Sequence, residues 1–231
     1  MAFKTYSKAI NLIWLSLIIS LQRAIEYIRV IASYYTRSYP FLKCDLTLLL
    51  LYFFKSPYQI SKLFLESRNN ADIHVYGETP LTTLELIAKE AKILPHDTVY
   101  DLGCGTGRTT FWLTYFTNCK AVGIEQIPFF VSGAKAISTK YDIHSVKFIE
   151  ENILEANYEL ATVVYFYGTS FEDDFIVAWI EKLSKLPKGS KVITVSYPLF
   201  HYTSAIRFPL IKEFTARFTW GQAQVFIQYK A

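Results

Sequence analysis

The run Thr98-Val99-Tyr100-Asp101-Leu102-Gly103-Cys104-Gly105-Thr106-Gly107-Arg108 constrains this chain more than any other stretch. A β-favouring segment ends in an acid, a glycine-rich turn follows at once, and an apolar segment opens at Thr109. That order reads strand, tight turn, helix start. Glycines let the backbone turn with φ > 0 and let a ligand approach with no Cβ in the way. The helix that follows offers N–H groups that have no partner of their own. The spacing is G-x-G-x-G, not the G-x-G-x-x-G of dinucleotide sites, and the Lys-Ser/Thr pair of a phosphate-binding loop is missing. An acid at position 101 repels a phosphate and suits the cationic end of a ligand.

Asp101-Leu102-Gly103-Cys104-Gly105-Thr106-Gly107 resembles the first motif of the class I S-adenosylmethionine-dependent methyltransferases. The resemblance implies that Asp101, Gly103, Cys104, Gly105 and Gly107 hold the amino-acid end of S-adenosyl-L-methionine. Downstream, Ala121-Val122-Gly123-Ile124-Glu125 reads as a second strand, and Glu125 lies 24 residues after Asp101. A strand-terminal acid about 20 residues beyond a glycine loop is placed to accept both hydroxyls of a ribose; Gln126 adjoins it. After a third strand over 145–150 come Asn152 and Ile153. Family members carry an acid where Asn152 stands, on the adenine amino group. The Asn oxygen can accept from that group while its NH2 donates to a ring nitrogen, and Ile153 would cover an adenine face.

Val75-Tyr76-Gly77-Glu78-Thr79 is similar to the loop ahead of the first motif in the non-SET histone-lysine methyltransferases, the disruptor-of-silencing class. There such a segment touches the methionine end of the cofactor, which implicates Glu78 and Thr79. The apolar N-terminal segment, the entry Asp101-Leu102-Gly103 and Ala161-Thr162-Val163-Val164 also look similar to the membrane-associated mitochondrial protein-lysine methyltransferases. Both resemblances imply a protein lysine as acceptor. The loop after the fourth strand departs from these families: Tyr167-Gly168 stand where the histone-lysine class has paired asparagines. The Asn/Asp-Pro-Pro-Tyr/Phe of amino-methylating nucleic-acid enzymes is missing too, and basic residues are dispersed singly, so no nucleic-acid partner is expected. Tyr167, Ser170 and Tyr197 are the candidate catalytic residues, and Tyr167, Phe171, Tyr197 and Tyr76 the candidate lining of an aromatic slot that favours a neutral amine.

The expected fold is α/β. It is a Rossmann-like, seven-stranded methyltransferase sheet that ends in an antiparallel hairpin around Gly221, preceded by apolar N-terminal helices. The fourth strand, over 161–166, is a near-continuous apolar run, as a buried parallel strand requires. Two parts are expected: a helical segment over 1–70 and the methyltransferase domain over 71–231. Residues 1–70 hold nine Lys/Arg against three acids, a balance of +6. The other 15 of 24 basic and 17 of 20 acidic residues give −2.

Ala9 to Leu21 is almost wholly apolar, a second apolar run covers Leu46 to Phe54, and neither reaches the ~20 residues of a membrane span. The segment reads as a helical cap on the domain, as an anchor on a membrane surface or a partner protein, or, least in keeping with its length, as a span. The second is the expectation here, because the sheet closes with its own hairpin. Cys44, Cys104 and Cys119 have neither metal-ligand spacing nor a disulfide pattern, which fits a reducing compartment; the expected location is cytoplasmic, with membrane association through the N-terminal helices. The expected function is transfer of the sulfonium methyl to a protein lysine amine by in-line displacement. The alternatives are a small-molecule or lipid methyltransferase at a membrane, and a non-catalytic cofactor-binding subunit.

Overall fold

The computed structural model describes Trp14 and residues 20–22, 24–68, 76–168 and 171–231. Lys4, Lys8, most of the apolar run from Ala9 to Leu21, residues 71–75 and Ser170 lie outside the described residues.

Seven strands form one sheet: β1 (Thr98–Leu102), β2 (Lys120–Glu125), β3 (Val146–Glu150), β4 (Val163–Phe166), β5 (Lys191–Val195), β6 (Leu210–Phe218) and β7 (Gly221–Tyr229). Their order is β3-β2-β1-β4-β5-β7-β6. The first five are parallel; β7 runs antiparallel to both β5 and β6. The chain winds outward from β1 in one direction and then from β4 in the other, so the order reverses between β1 and β4. In open α/β sheets the ligand crevice lies outside the carboxyl ends of the strands at such a reversal, and the glycine loop leaves β1 there.

Parallel strands must be covered on both faces. Val99, Ala121, Val163, Tyr165 and Ile193 pack toward α3 (Leu81–Glu90), α4 (Arg108–Thr117) and α5 (Pro128–Lys140). Tyr100, Leu102, Val122, Val164 and Phe166 pack on the other face toward α6 (Asp173–Leu183), with Trp179 at its centre. Leu81, Leu84, Ile87 and Ala88 bury one side of α3, as the 3.6-residue period requires.

Residues 24–30 are helical and pass into a π-helical stretch, Ile31–Tyr35. Ser38-Tyr39-Pro40 ends that segment and also starts the next: the Ser38 side chain accepts from Phe41 N at 3.2 Å and caps α1 (Tyr39–Leu51). Ser56 caps α2 (Pro57–Ser67) in the same way.

These helices lie on the domain, and the expectation that the sheet needs no cover from them is corrected. The reason is α4. Phe111 and Leu113 are buried, but so is Trp112 on another side of the same helix, and a helix apolar on all sides must be covered on all sides. Tyr34 meets Trp112 and Phe116 edge-on at 5.6 and 5.1 Å. Phe41 meets Tyr115 and Phe116 at 5.8 and 5.1 Å. Val30, Tyr34, Phe41, Cys44 and Leu48 join the same core as the sheet. Polar ties reinforce the docking: the Tyr34 hydroxyl donates to Glu85 at 2.8 Å, and the Glu26 carboxylate accepts from Thr82 N and Oγ1. Among the described residues no helix is long and apolar enough to cross a membrane.

Candidate cofactor and methyl-acceptor site

Three consecutive glycines of the loop have positive φ: +73° at Gly103, +54° at Gly105 and +82° at Gly107. The loop is pinned to the end of β2, because Gly103 N and Cys104 N both donate to Ile124 O, at 2.8 and 3.1 Å. Cys104 turns its sulfur into the sheet, where a Cβ on Gly123 would stand 2.6 Å from it. Burial holds the Cys104 thiol well above its usual range, and the Asp101 and Glu125 charges add to that. The thiol is therefore inert packing, and the backbone of Cys104 faces the ligand side. Gly107 gives α4 no side-chain cap, so the first N–H groups of that helix open toward the loop.

Asp101 is buried and accepts from Thr110 Oγ1 at 2.8 Å. Burial pushes its carboxyl up to about 7; the Thr110 hydroxyl opposes this and the Glu125 charge adds to it. A carboxyl raised on folding contributes stability that is complete below the unfolded carboxylate range and is lost as pH rises through about 7. The melting temperature of the ligand-free protein is thus expected to fall between about pH 4 and pH 7, and to fall less in Asp101→Asn. A cation beside Asp101 acts in the opposite sense, so affinity for a cationic ligand rises over that interval. Melting scans across pH check the first point, and equal pH slopes in the wild-type and Asp101→Asn proteins would refute it.

Glu125 is also buried. Its Oε1 accepts from Gln126 N at 2.7 Å and Ile127 N at 2.9 Å, and its Oε2 accepts from Gly105 N at 3.0 Å. Burial raises its carboxyl, and these three backbone bonds hold the rise down. A carboxylate has about four acceptor positions; with three filled, one is open on Oε2. Accepting both ribose hydroxyls therefore requires release of one backbone donor. Gln126 takes part through its backbone.

Asn152 Oδ1 accepts from Leu154 N at 2.9 Å, so its oxygen braces a turn, and its NH2 is the group free to donate. Ile153 comes beside the loop, its Cδ1 3.8 Å from where a Cβ on Gly103 would be.

A narrow cleft at the amino-acid end of the loop is lined by Tyr76–Thr79, Asp101, Gly103–Thr106, Arg108, Thr109, Tyr165 and Tyr167. Of the residues singled out in the sequence it brings together Glu78, Thr79, Asp101, Gly103, Cys104, Gly105 and Tyr167. Tyr76 donates to Glu78 Oε1 and lays its ring over Gly105, 3.1 Å from a Cβ placed there. Thr79 shares a 2.6 Å hydrogen bond with the Tyr165 hydroxyl.

Tyr167, at the carboxyl end of β4, stacks on Phe218 at 5.2 Å, and Phe218 stacks on Trp220 at 5.9 Å. The Trp220 indole N–H donates to the Tyr167 hydroxyl. Burial keeps that phenol above its usual range. The turn of the terminal hairpin thus supplies an aromatic wall to the cleft, a role sequence reasoning did not give it.

Tyr197 does not reach the cleft. Ser196 takes φ +75° and turns the chain, so Tyr197 packs with Leu199, Phe208 and Tyr202 on the opposite face of the sheet. Phe171 also lies apart, against Phe166 and Phe175. The site residues missed from sequence are Arg108, Tyr165 and Trp220. Arg108 had a signal: it is the first residue after the glycine loop.

Residues 93–198 match the model of a family described as a methyltransferase domain. The matched stretch, a little under half of the chain, holds the glycine loop and strands β1 to β5, and together with the sheet order it supports an S-adenosylmethionine-dependent methyltransferase. No curated protein matches the chain. Among solved structures, it is similar to an RNA methyltransferase from Salinibacter ruber in complex with S-adenosyl-L-homocysteine, with TM-score 0.56, 21% identity, and coverage of 66% of this chain and 93% of that one. It is also similar to magnesium protoporphyrin IX methyltransferase from Synechocystis with bound S-adenosylmethionine, with TM-score 0.53, 14% identity, and coverage of 65% and 79%. A third is geranyl diphosphate C-methyltransferase from Streptomyces coelicolor, with TM-score 0.55, 10% identity, and coverage of 66% and 78%. The residues present fit the cofactor. Positive φ turns the loop at all three glycines, a Cβ on Gly105 would crowd Tyr76 of the cleft, Asp101 suits a cationic end, and Glu125 keeps an open acceptor position.

Proposed function

We propose that this methyltransferase acts on a lysine side chain of a protein. The cofactor supplies a methyl group on a positively charged sulfur, which a neutral amine displaces in line. The observation that carries the reading is the wall Tyr167–Phe218–Trp220 beside the cleft, with Trp220 still 54% exposed. Such a wall packs along the four-carbon stem of a lysine and disfavours its ammonium form, leaving the amine that can react. The Tyr167 phenol stays protonated; with one lone pair taken by Trp220, it keeps a donor and an acceptor for the incoming nitrogen. Glu78, at the mouth of the same cleft, is placed to draw the cation in before its proton leaves. Positioning supplies most of the rate in a transfer of this kind.

A second reading, a lipid or small-molecule acceptor at a membrane surface, is favoured by one patch. At the end of α1, Leu50, Phe53 and Phe54 are 71%, 74% and 94% exposed. Lys55 stands 5.7 Å over the ring of the exposed Phe129 nearby. Apolar residues with a flanking base are the composition of a membrane-surface contact. Incubation with methyl-labelled cofactor, a cell lysate and anionic vesicles separates the readings. Label on protein, recovered as methyl-lysine after hydrolysis, is expected. Label that floats with the vesicles and extracts with lipid would replace the first reading with the second.

A further inference from the structure

We infer that Arg108 receives the carboxylate at the amino-acid end of the cofactor, and that Asp45, from the N-terminal helices, is the positioning residue that aims it. The inference rests on the cleft being the cofactor site. The amino-acid end of S-adenosylmethionine is a zwitterion and needs an acid for its ammonium and a base for its carboxylate. Among the described residues the cleft lining holds two acids, Glu78 and Asp101, and a single base, Arg108. Without that base the charged side chains facing the carboxylate would all be negative among the described residues.

The geometry of Arg108 suits the task. Its Nε donates to Asp45 Oδ1 at 2.6 Å and its Nη2 to Asp45 Oδ2 at 2.7 Å. This two-point fork fixes the plane of the guanidinium. Asp45 takes two of the five guanidinium N–H donors and Tyr35 also lies within hydrogen-bond reach, so at least two donors remain for a ligand. Asp45 is itself wholly buried and held by Tyr35, whose hydroxyl donates to Oδ2 at 2.7 Å. Tyr27 closes the far side, its ring 5.9 Å from Arg108 Cζ.

A pair this deep is costly to desolvate, and well-packed apolar residues hold helices together at least as well. Its place against the glycine loop gives it a use that packing alone does not. The N-terminal helices are then a wall of the cofactor site as well as a cover for α4.

Two ligands isolate the contact. S-adenosylhomocysteine carries the amino-acid end, and methylthioadenosine lacks it but keeps the ribose and adenine. Calorimetry on the full chain should show Arg108→Gln binding S-adenosylhomocysteine about ten- to a hundredfold more weakly, with methylthioadenosine changed by less than about threefold. Asp45→Asn should lose about five- to tenfold on the first ligand alone. Because either single variant leaves a buried charge without its partner, the paired Asp45→Leu/Arg108→Met protein serves as the control for folding. It should melt near the wild type and still show the selective loss. Unchanged S-adenosylhomocysteine affinity in the paired variant, or parallel loss of both ligands in all three proteins, would overturn the assignment. A wild-type protein that binds neither ligand would overturn the cofactor site itself.

Discussion

Replacing Glu125 with alanine is expected to lower affinity for S-adenosylmethionine and S-adenosylhomocysteine by more than about a hundredfold. Two losses combine. A charged acceptor for the ribose disappears, worth roughly 1.5–3 kcal/mol per hydrogen bond. In addition, Gly105 N, Gln126 N and Ile127 N lose the carboxylate that now holds them. Gly105 belongs to the loop, so the cradle loses one of its ties to β2 together with its ribose contact. Orphaned buried donors cost about 1–3 kcal/mol each, so the variant should also melt lower. Glu125→Gln keeps acceptor capacity on its carbonyl oxygen and should recover much of the stability but little of the affinity. Calorimetric titration of the folded variants decides this; wild-type affinity in Glu125→Ala would remove Glu125 from the site.

Gly105→Val should abolish cofactor binding. At φ +54° a β-branched residue is strained whatever space is available. The added Cβ would also meet Tyr76 Cε2 at 3.1 Å and displace a ring that lines the cleft. The backbone strain is local, of order 1–3 kcal/mol, so a cooperative melt should persist at reduced temperature. A Gly105→Val protein that binds S-adenosylhomocysteine normally would show that the ligand lies elsewhere.

The sheet was legible because its signals are local. Apolar runs over 98–102, 121–125 and 161–166 could be read one at a time, and Gly221 marked the hairpin between two alternating segments. Glu125 was legible for the same reason: a strand-terminal acid at a fixed distance from a glycine loop is a one-dimensional pattern. What was hidden depends on distant pairings. Asp45 and Arg108 are 63 residues apart, and Tyr167 and Trp220 are 53 apart. No spacing rule links such pairs.

Two misreadings did have a signal. In Arg108-Thr109-Thr110-Phe111-Trp112-Leu113-Thr114-Tyr115-Phe116 the large apolar residues spread over more of the circumference than one buried face needs, which already asks for a second covering layer. The N-terminal helices supply it and in doing so reach the cofactor loop. Tyr197 was assigned by its place after β5, as though the chain continued straight; the positive φ of Ser196 sends it into the core instead.

Titration of the full wild-type chain with S-adenosylhomocysteine, followed by calorimetry, tests the central claim most directly. The account predicts saturable one-to-one binding that strengthens from about pH 5.5 to pH 7.5 as Asp101 ionises. No binding heat at any ligand concentration up to about a millimolar, with the protein folded throughout, would contradict it.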